Sequence, residues 1–505
     1  MHAQPQCRSA ATIWPVSGVR KSSAFWAHGS AGACVAAGII LFIGLATLAG
    51  CANSSPSTAP PSPPETAAGI ATLVVPRFNG GSVPVDPAAQ ERFLFNRGYP
   101  AQDLRLGDTY QPLLSALRSR PGSKVVLGAS YDWRMPGAPP QDSLDGKVTG
   151  LLAHWNDPMA VRSYPYAVDY LRYWLIQAAR STPDQDRVNL IAHSTGVTLV
   201  RAYLQSDAYG QTVLDENGSA VKLPTIDTLV LAVPAMQGAP FVWNLWNGNF
   251  ASFVGAARGA DIFRGYNTAY QHVVSGGTIS GPIGDVTSAS LSGVGLARQV
   301  SFLRQYNPLF RIVLPTNDFL YPSAAPEPAP ISINGRTGDR NELLLDLNSG
   351  SAAGRNPWTA LASKVVVTYP VNVLAPPATA GSGSVSTAIS DRTETGTGGT
   401  VVPFTAFARD NQTGIPTVPG QTWFREEMVA DAGDGAFPLA TMRGTFFDRD
   451  GVPDPGIRVQ QWGNGPSPQG RPEDTWTPVA GNLSHNLFIE NPAITHWLAC
   501  QVEPG

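Results

Sequence analysis

Hydrophobic residues follow two alternating patterns along this chain. Short runs that are apolar at nearly every position, and rich in β-branched residues, occur at 70–75, 124–129, 187–192, 228–233 and 364–373. Such runs are typical of strands buried on both faces of a sheet. Between them, apolar residues recur at helical spacing over 112–118 and 168–178. Strands separated by helices in this order predict an α/β fold with a mostly parallel central sheet.

This alternation is interrupted between about 237 and 330. Trp243, Trp246 and Phe250 belong to an aromatic cluster in a Gly- and Asn-rich context without clear periodicity. A long irregular segment inside a regular pattern suits an inserted cap or lid. Its apolar side chains would either bind a substrate chain or simply pack the cap. The Gly-, Ser- and Thr-rich stretch 375–400 predicts a loop.

The composition is that of a large globular protein with long connections. Of the 505 residues, 43% are hydrophobic and 14% are charged, and 51 glycines and 45 prolines are present. A chain of this length can bury a large core, and its Gly and Pro content predicts turn-rich loops. The formal net charge is −3 and no run of five basic residues occurs, so nothing indicates nucleic-acid binding.

Residues 1–50 have the pattern of an export signal. A basic flank precedes the apolar run 31–50, which ends in Leu-Ala-Gly directly before Cys51. This ending resembles the bacterial lipobox, in which the cysteine after the cleavage site receives lipid. Residues 51–68, rich in Ser, Pro and Ala, predict a flexible tether. A plain membrane helix or ordinary secretory signal is the alternative, but box and tether together favour an exported lipoprotein of the bacterial cell envelope, anchored through Cys51.

The candidate nucleophile is Ser194, in the segment Ala-His-Ser-Thr-Gly at 192–196. An apolar strand pattern precedes this segment and a helical pattern follows it, as in the nucleophile elbow of α/β-hydrolases. The strained turn needs small residues two positions before and after the serine, and Ala192 and Gly196 meet that need. The turn would also aim the Thr195 backbone N–H at a developing oxyanion. The alternative is a chance match to this short motif.

A serine hydroxyl becomes a strong nucleophile only when a base removes its proton. Of the seven histidines, His193 adjoins the serine, and we expect its ring to be directed elsewhere. In α/β-hydrolases the acid and then the histidine follow the serine along the chain, which favours His485 or His496. Asp434 lies between two glycines and can project freely, so it is a candidate acid, with an ordinary Gly-Asp-Gly turn as the alternative.

A family resemblance becomes visible when these motifs are placed in order. Its segments are Val-Pro-Arg-Phe-Asn-Gly-Gly at 75–81, Tyr-Asp-Trp-Arg at 131–134, Ala-His-Ser-Thr-Gly at 192–196, Ala-Val-Pro at 232–234, Gly-Asp-Gly-Ala-Phe-Pro-Leu at 433–439 and Ser-His-Asn at 484–486. The chain resembles the lecithin:cholesterol acyltransferase family, which includes lysosomal phospholipase A2 and the phospholipid:diacylglycerol acyltransferases. The resemblance spans about residues 70–498, and Tyr-Asp-Trp-Arg is its most specific part.

The resemblance implies an α/β-hydrolase domain over 69–498 with an inserted cap. It also implies the roles of the site residues, which are Ser194 as nucleophile, Asp434 as acid, His485 as base, Phe78 and Thr195 as oxyanion donors, and Asp132 and Arg134 as a structural ion pair. Arg77 stands where the family has a glycine, beside the expected oxyanion donor. His496, in a terminal helix pattern, remains the less favoured base.

The implied activity is transfer of an acyl group from a lipid ester, with a phospholipid or glyceride as donor, through an acyl-enzyme. Attack by an alcohol makes the protein an acyltransferase, whereas attack by water makes it a lipase, phospholipase or esterase. A catalytically dead lipid-binding lipoprotein is the remaining alternative, disfavoured because all three triad positions are filled. We expect a monomer that meets lipid at the membrane surface and needs no cofactor. We expect no metal, because the partial calcium motif at 448–454 lacks its closing glutamate.

Overall fold

The computed structural model describes residues 69–502 apart from several internal segments. The chain divides into Met1–Glu65 and Thr66–Gly505, and every described residue belongs to the second unit. The internal positions not described are 79–80, 121–124, 142, 183–185, 240–241, 244–245, 247–256, 317–319, 322–340, 353–360, 362–363, 372–385, 396–421, 430–436, 438, 445–455, 464–475, 480–482, 484 and 486–487. Side chains are also not described at 257–264, 296, 320–321, 350–352, 386–395, 422–429, 439–440 and 476. The predicted leader, tether and calcium-like motif therefore lie outside the described residues.

The strands of the described residues follow the chain in this order: β1 Ala71–Val75, β2 Ser82–Pro84, β3 Leu104–Leu106, β4 Val126–Gly128, β5 Arg187–His193, β6 Thr212–Leu214, β7 Ala220–Lys222, β8 Thr225–Ala232, β9 Leu320–Tyr321, β10 Val365–Pro370, β11 Ser386–Thr395, β12 Thr422–Val429, β13 Arg458–Gly463 and β14 Trp476–Pro478. Each of the predicted apolar runs overlaps one of these strands, which confirms them as strands.

The α-helices of the same residues are α1 Gln90–Phe95, α2 Gln111–Arg118, α3 Leu151–Trp155, α4 Pro158–Ser163, α5 Ala167–Ser181, α6 Gly196–Leu204, α7 Ala257–Val274, α8 Leu296–Tyr306, α9 Glu342–Ala352, α10 Leu439–Arg443 and α11 Pro492–Gln501. Short 3₁₀ helices occupy Pro87–Ala89, Ala101–Asp103, Asp108–Tyr110, Ser288–Ser290, Pro308–Val313 and Phe488–Glu490. The helical patterns over 112–118 and 168–178 are confirmed by α2 and α5.

One sheet organises the described residues, with strand order β14-β13-β10-β8-β5-β1-β4. All neighbouring strands in it are parallel. Helices α2, α5, α6 and α11 pack against its strands. This seven-stranded parallel sheet with helices between its strands is an α/β-hydrolase-type fold, so the predicted fold class is confirmed.

The core explains why these strands read as continuous apolar runs. Strand β1 is buried at every position, and so is β10. A strand inside a parallel sheet has neighbours on both edges and helices over its faces, so neither set of alternating side chains meets water. Because all seven strands run in one direction, their carboxyl ends share one edge of the sheet, where an α/β fold places its ligand.

The segment predicted as a cap is more regular than its sequence pattern suggested. It contains α7, α8 and the 3₁₀ helix Pro308–Val313. On α8, Phe302, Leu303 and Tyr306 are fully or almost fully buried. Their spacing is helical, but the irregular aromatic cluster upstream obscured it.

The loop prediction for 375–400 is wrong over Ser386–Thr395, which form β11. This strand pairs antiparallel with β12 and parallel with β9. Its Ser- and Thr-rich composition is compatible with a strand because threonine is β-branched. Whether this segment forms a strand or a loop depends on pairing with strands that are distant in sequence. Local composition does not encode those partners.

Candidate active site

Ser194 stands on a sharp turn between β5 and α6. Its φ is 57°, in the left-handed region that a residue with a side chain rarely adopts. The Ser194 N–H donates to the Ala232 carbonyl at 3.0 Å, and the Ser194 carbonyl accepts the Val197 N–H at 3.0 Å. Backbone strain of this kind persists only where surrounding contacts hold it. The turn has the geometry of a nucleophile elbow.

Gly196 is required by a close approach between two backbones as well as by the turn. A Cβ at this position would lie 2.6 Å from the Pro76 carbonyl oxygen and 2.7 Å from that of Val75. Both contacts are far shorter than a normal van der Waals distance. The start of α6 therefore packs directly on the loop that follows β1, and this loop holds the expected oxyanion donor.

His485 lies at the serine. Its Nε2 atom is 2.9 Å from Ser194 Oγ, a hydrogen-bond distance between residues 291 positions apart in the chain. His496, the less favoured base, is exposed on α11, and its Nε2 lies 3.9 Å from Cys500 Sγ. Of these two candidates, the structure brings His485 to Ser194.

The loop after β1 is held by two buried tyrosines. The Arg77 N–H donates to the Tyr110 hydroxyl at 2.8 Å, and the Tyr131 hydroxyl donates to the Pro76 carbonyl at 3.1 Å. Because the Arg77 amide is occupied by Tyr110, it is not available as an oxyanion donor. The assignment of the second donor therefore stays with Phe78, whose ring is buried against that of Phe310 at 5.4 Å.

Thr195 stands at the N-terminus of α6, where backbone N–H groups have no partner within the helix. Within the part of the chain that the structure describes, we find no protein acceptor for the Thr195 N–H. An anion at this position would also meet the positive end of the helix dipole. Thr195 is thus placed as the sequence predicts for an oxyanion donor.

From its position before the serine, we expected the His193 ring to point away from the site. This expectation is wrong. Its ring stacks against that of His485, with centroids 5.2 Å apart and planes inclined by 27°. Its Nδ1 atom lies 2.8 Å from the Tyr110 hydroxyl. Burial lowers the pKa of His193 well below its usual value, and the nearby His485 lowers it further. No sequence signal marked Tyr110, since its contact with His193 spans 83 positions.

Asp132 and Arg134 form the predicted ion pair, and both side chains are fully buried. The Asp132 carboxylate also accepts the N–H groups of Gly98 and Tyr99, at 3.0 and 3.2 Å. Burial lowers the pKa of Arg134, but the charge and hydrogen bonds of Asp132, together with Tyr306 and Tyr170, outweigh it and the pKa is raised. The guanidinium lies 3.9 Å from the centroid of the Phe93 ring. The pair therefore ties the loop after β4 to the segment 93–99.

The residues assigned to the cap and the triad are described only in part. Trp243 and Trp246 are buried, with 4% and 5% of their surfaces exposed. The Trp246 carbonyl accepts Arg304 Nε at 3.0 Å, and the Arg304 guanidinium lies 4.9 Å from the Trp246 ring centroid. Asp434, Phe250 and Cys51 lie outside the described residues.

Comparison with known proteins adds little to this geometry. No family profile matches the sequence. No curated protein matches it significantly. Among solved structures, the chain is similar to one titled "The crystal structure of Tle4-Tli4 complex", with 11% identity, a TM-score of 0.31, and coverage of 75% of this chain and 67% of the other.

Proposed function

We propose that this protein is a serine-dependent O-acyltransferase that acts on lipid acyl esters, with a phospholipid or glyceride as acyl donor. The observation that carries the proposal is the 2.9 Å contact between His485 Nε2 and Ser194 Oγ. It occurs at a serine held with positive φ directly before a helix. A base within hydrogen-bond reach of an elbow serine is the arrangement that activates a hydroxyl for attack on an ester.

In the first half-reaction, His485 takes the Ser194 proton while Oγ attacks the ester carbonyl. The backbone N–H groups of Thr195 and Phe78 stabilise the oxyanion that forms. The protonated His485 then gives its proton to the departing alcohol, which leaves an acyl group on Ser194. A second alcohol attacks this acyl-enzyme and His485 accepts its proton. His485 then returns this proton to Ser194 Oγ as the new ester departs, which regenerates the serine and the neutral base.

The acid of this mechanism is Asp434, assigned through its motif. Phe437, three residues later in the same motif, is described, and its ring meets the His485 ring edge-on at 4.6 Å. This contact between the acid's motif and the base supports the assignment. A carboxylate on Nδ1 of His485 would hold the tautomer that presents Nε2 to the serine and would stabilise the protonated ring.

Burial of the nucleophile favours transfer over hydrolysis. Ser194 is 1% exposed, and Thr195 beside it is fully buried. An ester reaches this serine only when the atoms that cover it move aside, and when these atoms close again over the acyl-enzyme they exclude bulk water. An apolar alcohol delivered from a lipid phase is then a better competitor for the acyl group than it would be in an open site.

We assign the acyl chain of the donor to the side of the site formed by the segment after β8, which we define as residues 233–313. Phe310 of this segment packs against Phe78, and Trp243 and Trp246 of the same segment are buried in the hydrophobic core. Phe250 is assigned to the same surface from its position in the aromatic cluster. Packing of large apolar side chains around a site with few polar groups suits a hydrocarbon ligand.

Product analysis tests the proposal. The full chain is incubated with a phospholipid carrying a labelled acyl group, with and without a sterol or diacylglycerol acceptor. We expect labelled sterol ester or triacylglycerol when the acceptor is present. Free fatty acid as the only labelled product at every acceptor concentration would make the protein a lipase or phospholipase, with the same acyl-enzyme resolved by water.

A fluorophosphonate probe separates the enzyme from a dead hydrolase fold. We expect labelling of the wild type, and a loss of labelling and turnover of roughly 10³-fold or more in Ser194→Ala. The matched control is Ser206→Ala, because the Ser206 hydroxyl makes only local backbone contacts: it donates to the Tyr203 carbonyl at 2.7 Å and accepts the Ala208 N–H at 3.2 Å. Equal labelling of the two variants would contradict the assignment of Ser194.

We further propose that the protein is exported and anchored in the bacterial cell envelope through lipid on Cys51. Among the described residues, no helix is long and apolar enough to cross a membrane. Incorporation of labelled palmitate into the full chain tests the anchor. We expect incorporation to be lost in Cys51→Ala and retained in Cys34→Ala, which alters a cysteine inside the apolar run. Retention in both variants would contradict the anchor.

A further inference from the structure

The Tyr110 hydroxyl joins the oxyanion loop to the ring that stacks on the base. It accepts the Arg77 N–H at 2.8 Å and lies 2.8 Å from His193 Nδ1. Tyr110 is fully buried. A backbone N–H can only donate, so the phenol oxygen is the acceptor of the first bond. Its own hydrogen then has one acceptor among the described residues, which is His193 Nδ1.

This arrangement favours one protonation state of His193. With the phenol hydrogen donated to Nδ1, that nitrogen carries no proton and the ring is the neutral Nε2–H tautomer. Among the described residues, the titratable and charged groups that face the ring are Tyr110, His485 and Arg77. Of these, Arg77 and His485 both disfavour a second positive charge on His193.

The neutral state of His193 matters because His485 lies against the face of its ring. The base of the proposed mechanism, His485, becomes positively charged each time it takes a proton from Ser194 or from an alcohol. A charged His193 at a ring-centroid separation of 5.2 Å would oppose that step. A neutral aromatic ring in the same place offers its π face to the cation instead.

We propose that Tyr110 and His193 are positioning residues for acyl transfer, in which one phenol hydroxyl both keeps the Arg77 amide out of the oxyanion site and holds His193 as the neutral ring that supports His485. The inference rests on the proposed function, since it concerns the same base and the same loop. Neither residue touches the ester. Their effect is to keep the Phe78 donor and His485 in register with Ser194.

The protonation state is tested without any substrate. The full chain is labelled with ¹⁵N only in histidine, and the nitrogen spectra are recorded between roughly pH 5 and 8. We expect one histidine that stays in the neutral Nε2–H form throughout, absent from the spectrum of His193→Phe and altered in Tyr110→Phe. A His193 signal that titrates in this range, or that shows the Nδ1–H form, would overturn the proposal.

The positioning role is tested by comparing Tyr110 with Tyr203, a second tyrosine that is fully buried and has a similarly hydrogen-bonded hydroxyl. Tyr203 is the control, because its hydroxyl also accepts a backbone N–H, from Gly210 at 3.2 Å, and donates to a carbonyl, that of Pro224 at 2.8 Å. We expect Tyr110→Phe to lower kcat on a p-nitrophenyl ester by roughly 10- to 100-fold with KM changed less than about threefold. Tyr203→Phe should stay within about twofold of the wild type in both.

One further variant tests whether the two residues act together, and two outcomes of the kinetic assay separate failure of this inference from failure of the proposed function. The double variant Tyr110→Phe/His193→Phe should be no slower than the slower single variant, because the two residues act as a unit. Equal kcat in Tyr110→Phe and Tyr203→Phe, with an active wild type, overturns the positioning role alone. A wild type that turns over no ester overturns the proposed function and this inference with it.

Discussion

His485 Nε2 lies 2.9 Å from Ser194 Oγ, although 291 positions separate the two residues along the chain. The contact joins the turn after β5 to the segment before α11. Strands β5 and β14, which precede these two segments, belong to the same parallel sheet. Any change that moves the sheet edge near Ser194 is therefore expected to affect catalysis before it affects overall folding.

Gly196→Ala tests that expectation at the loop after β1. A methyl group at this position would come within 2.6 Å of the Pro76 carbonyl, so the oxyanion loop must shift. Since a displacement of about 1 Å can cost roughly 10²-fold in rate, we expect kcat to fall by at least 10-fold while KM changes little.

The matched control for that loop shift is Gly218→Ala, at a glycine where a Cβ would meet nothing within 4 Å. Its φ is 80°, so the variant carries backbone strain without a steric clash. We expect some loss of thermal stability and a kcat near that of the wild type. Equal losses of kcat in the two variants would show that the oxyanion loop does not depend on Gly196.

The buried ion pair Asp132–Arg134 is expected to matter for stability. In Asp132→Asn, the fully buried Arg134 keeps its charge but loses the carboxylate that balances it. Breaking a buried pair in this way lowers the free energy of unfolding by about 3–5 kcal/mol. Urea unfolding should show the loss directly. The exposed pair Arg105–Asp108 provides the contrast, and Asp108→Asn should leave the unfolding midpoint unchanged within error.

Asp346 is expected to make stability depend on pH. Its Oδ1 accepts the Gly146 N–H at 2.8 Å, whereas its Oδ2 is buried without a hydrogen-bond partner within the described residues. Burial raises the pKa of Asp346 above its ordinary value of 3.8, and the neighbouring Asp145 raises it further. Between the unfolded and folded pKa values the folded state binds more protons, so this group's contribution to stability falls as pH rises through that window.

Asp346→Asn removes the charge and keeps the acceptor for Gly146. We therefore expect the Tm of the variant, relative to the wild type, to be higher at pH 7 than at pH 4, by about 2 °C for each 1 kcal/mol of burial cost removed. Glu91→Gln, at an exposed carboxylate on α1, should show no such trend. A Tm difference that is constant from pH 4 to 7 would contradict a raised pKa.

Trp246→Ala tests the assignment of the acyl chain. If Trp246 lines the hydrocarbon site, kcat/KM for a dodecanoyl ester should fall at least about fivefold more than for a butanoyl ester, because a long chain loses more buried apolar contact. An equal loss for both esters would mean that Trp246 only packs the segment after β8. Val294→Ala, at a residue 83% exposed, is the control and should leave both rates unchanged.

The sequence by itself determined the elements whose signal is local. The strands of the parallel sheet are readable because burial on both faces demands continuous apolar runs, and the elbow is readable because its strained turn requires small residues around Ser194. Chain order alone leaves both His485 and His496 as candidates for the base, and the family resemblance of the motifs favours His485. The loop expected at Ser386–Thr395 failed because β11 depends on partners that its own composition does not encode.

Only the tertiary structure decided which distant side chains share the edge of the sheet. The Tyr110 hydroxyl, the stacking of His193 on His485 and the loss of the Arg77 amide as a donor all arise from contacts between separate elements. Such contacts depend on the three-dimensional placement of whole strands and helices, to a precision of about an ångström. A hydrogen bond is that sensitive to distance, whereas a hydrophobic pattern tolerates far larger shifts.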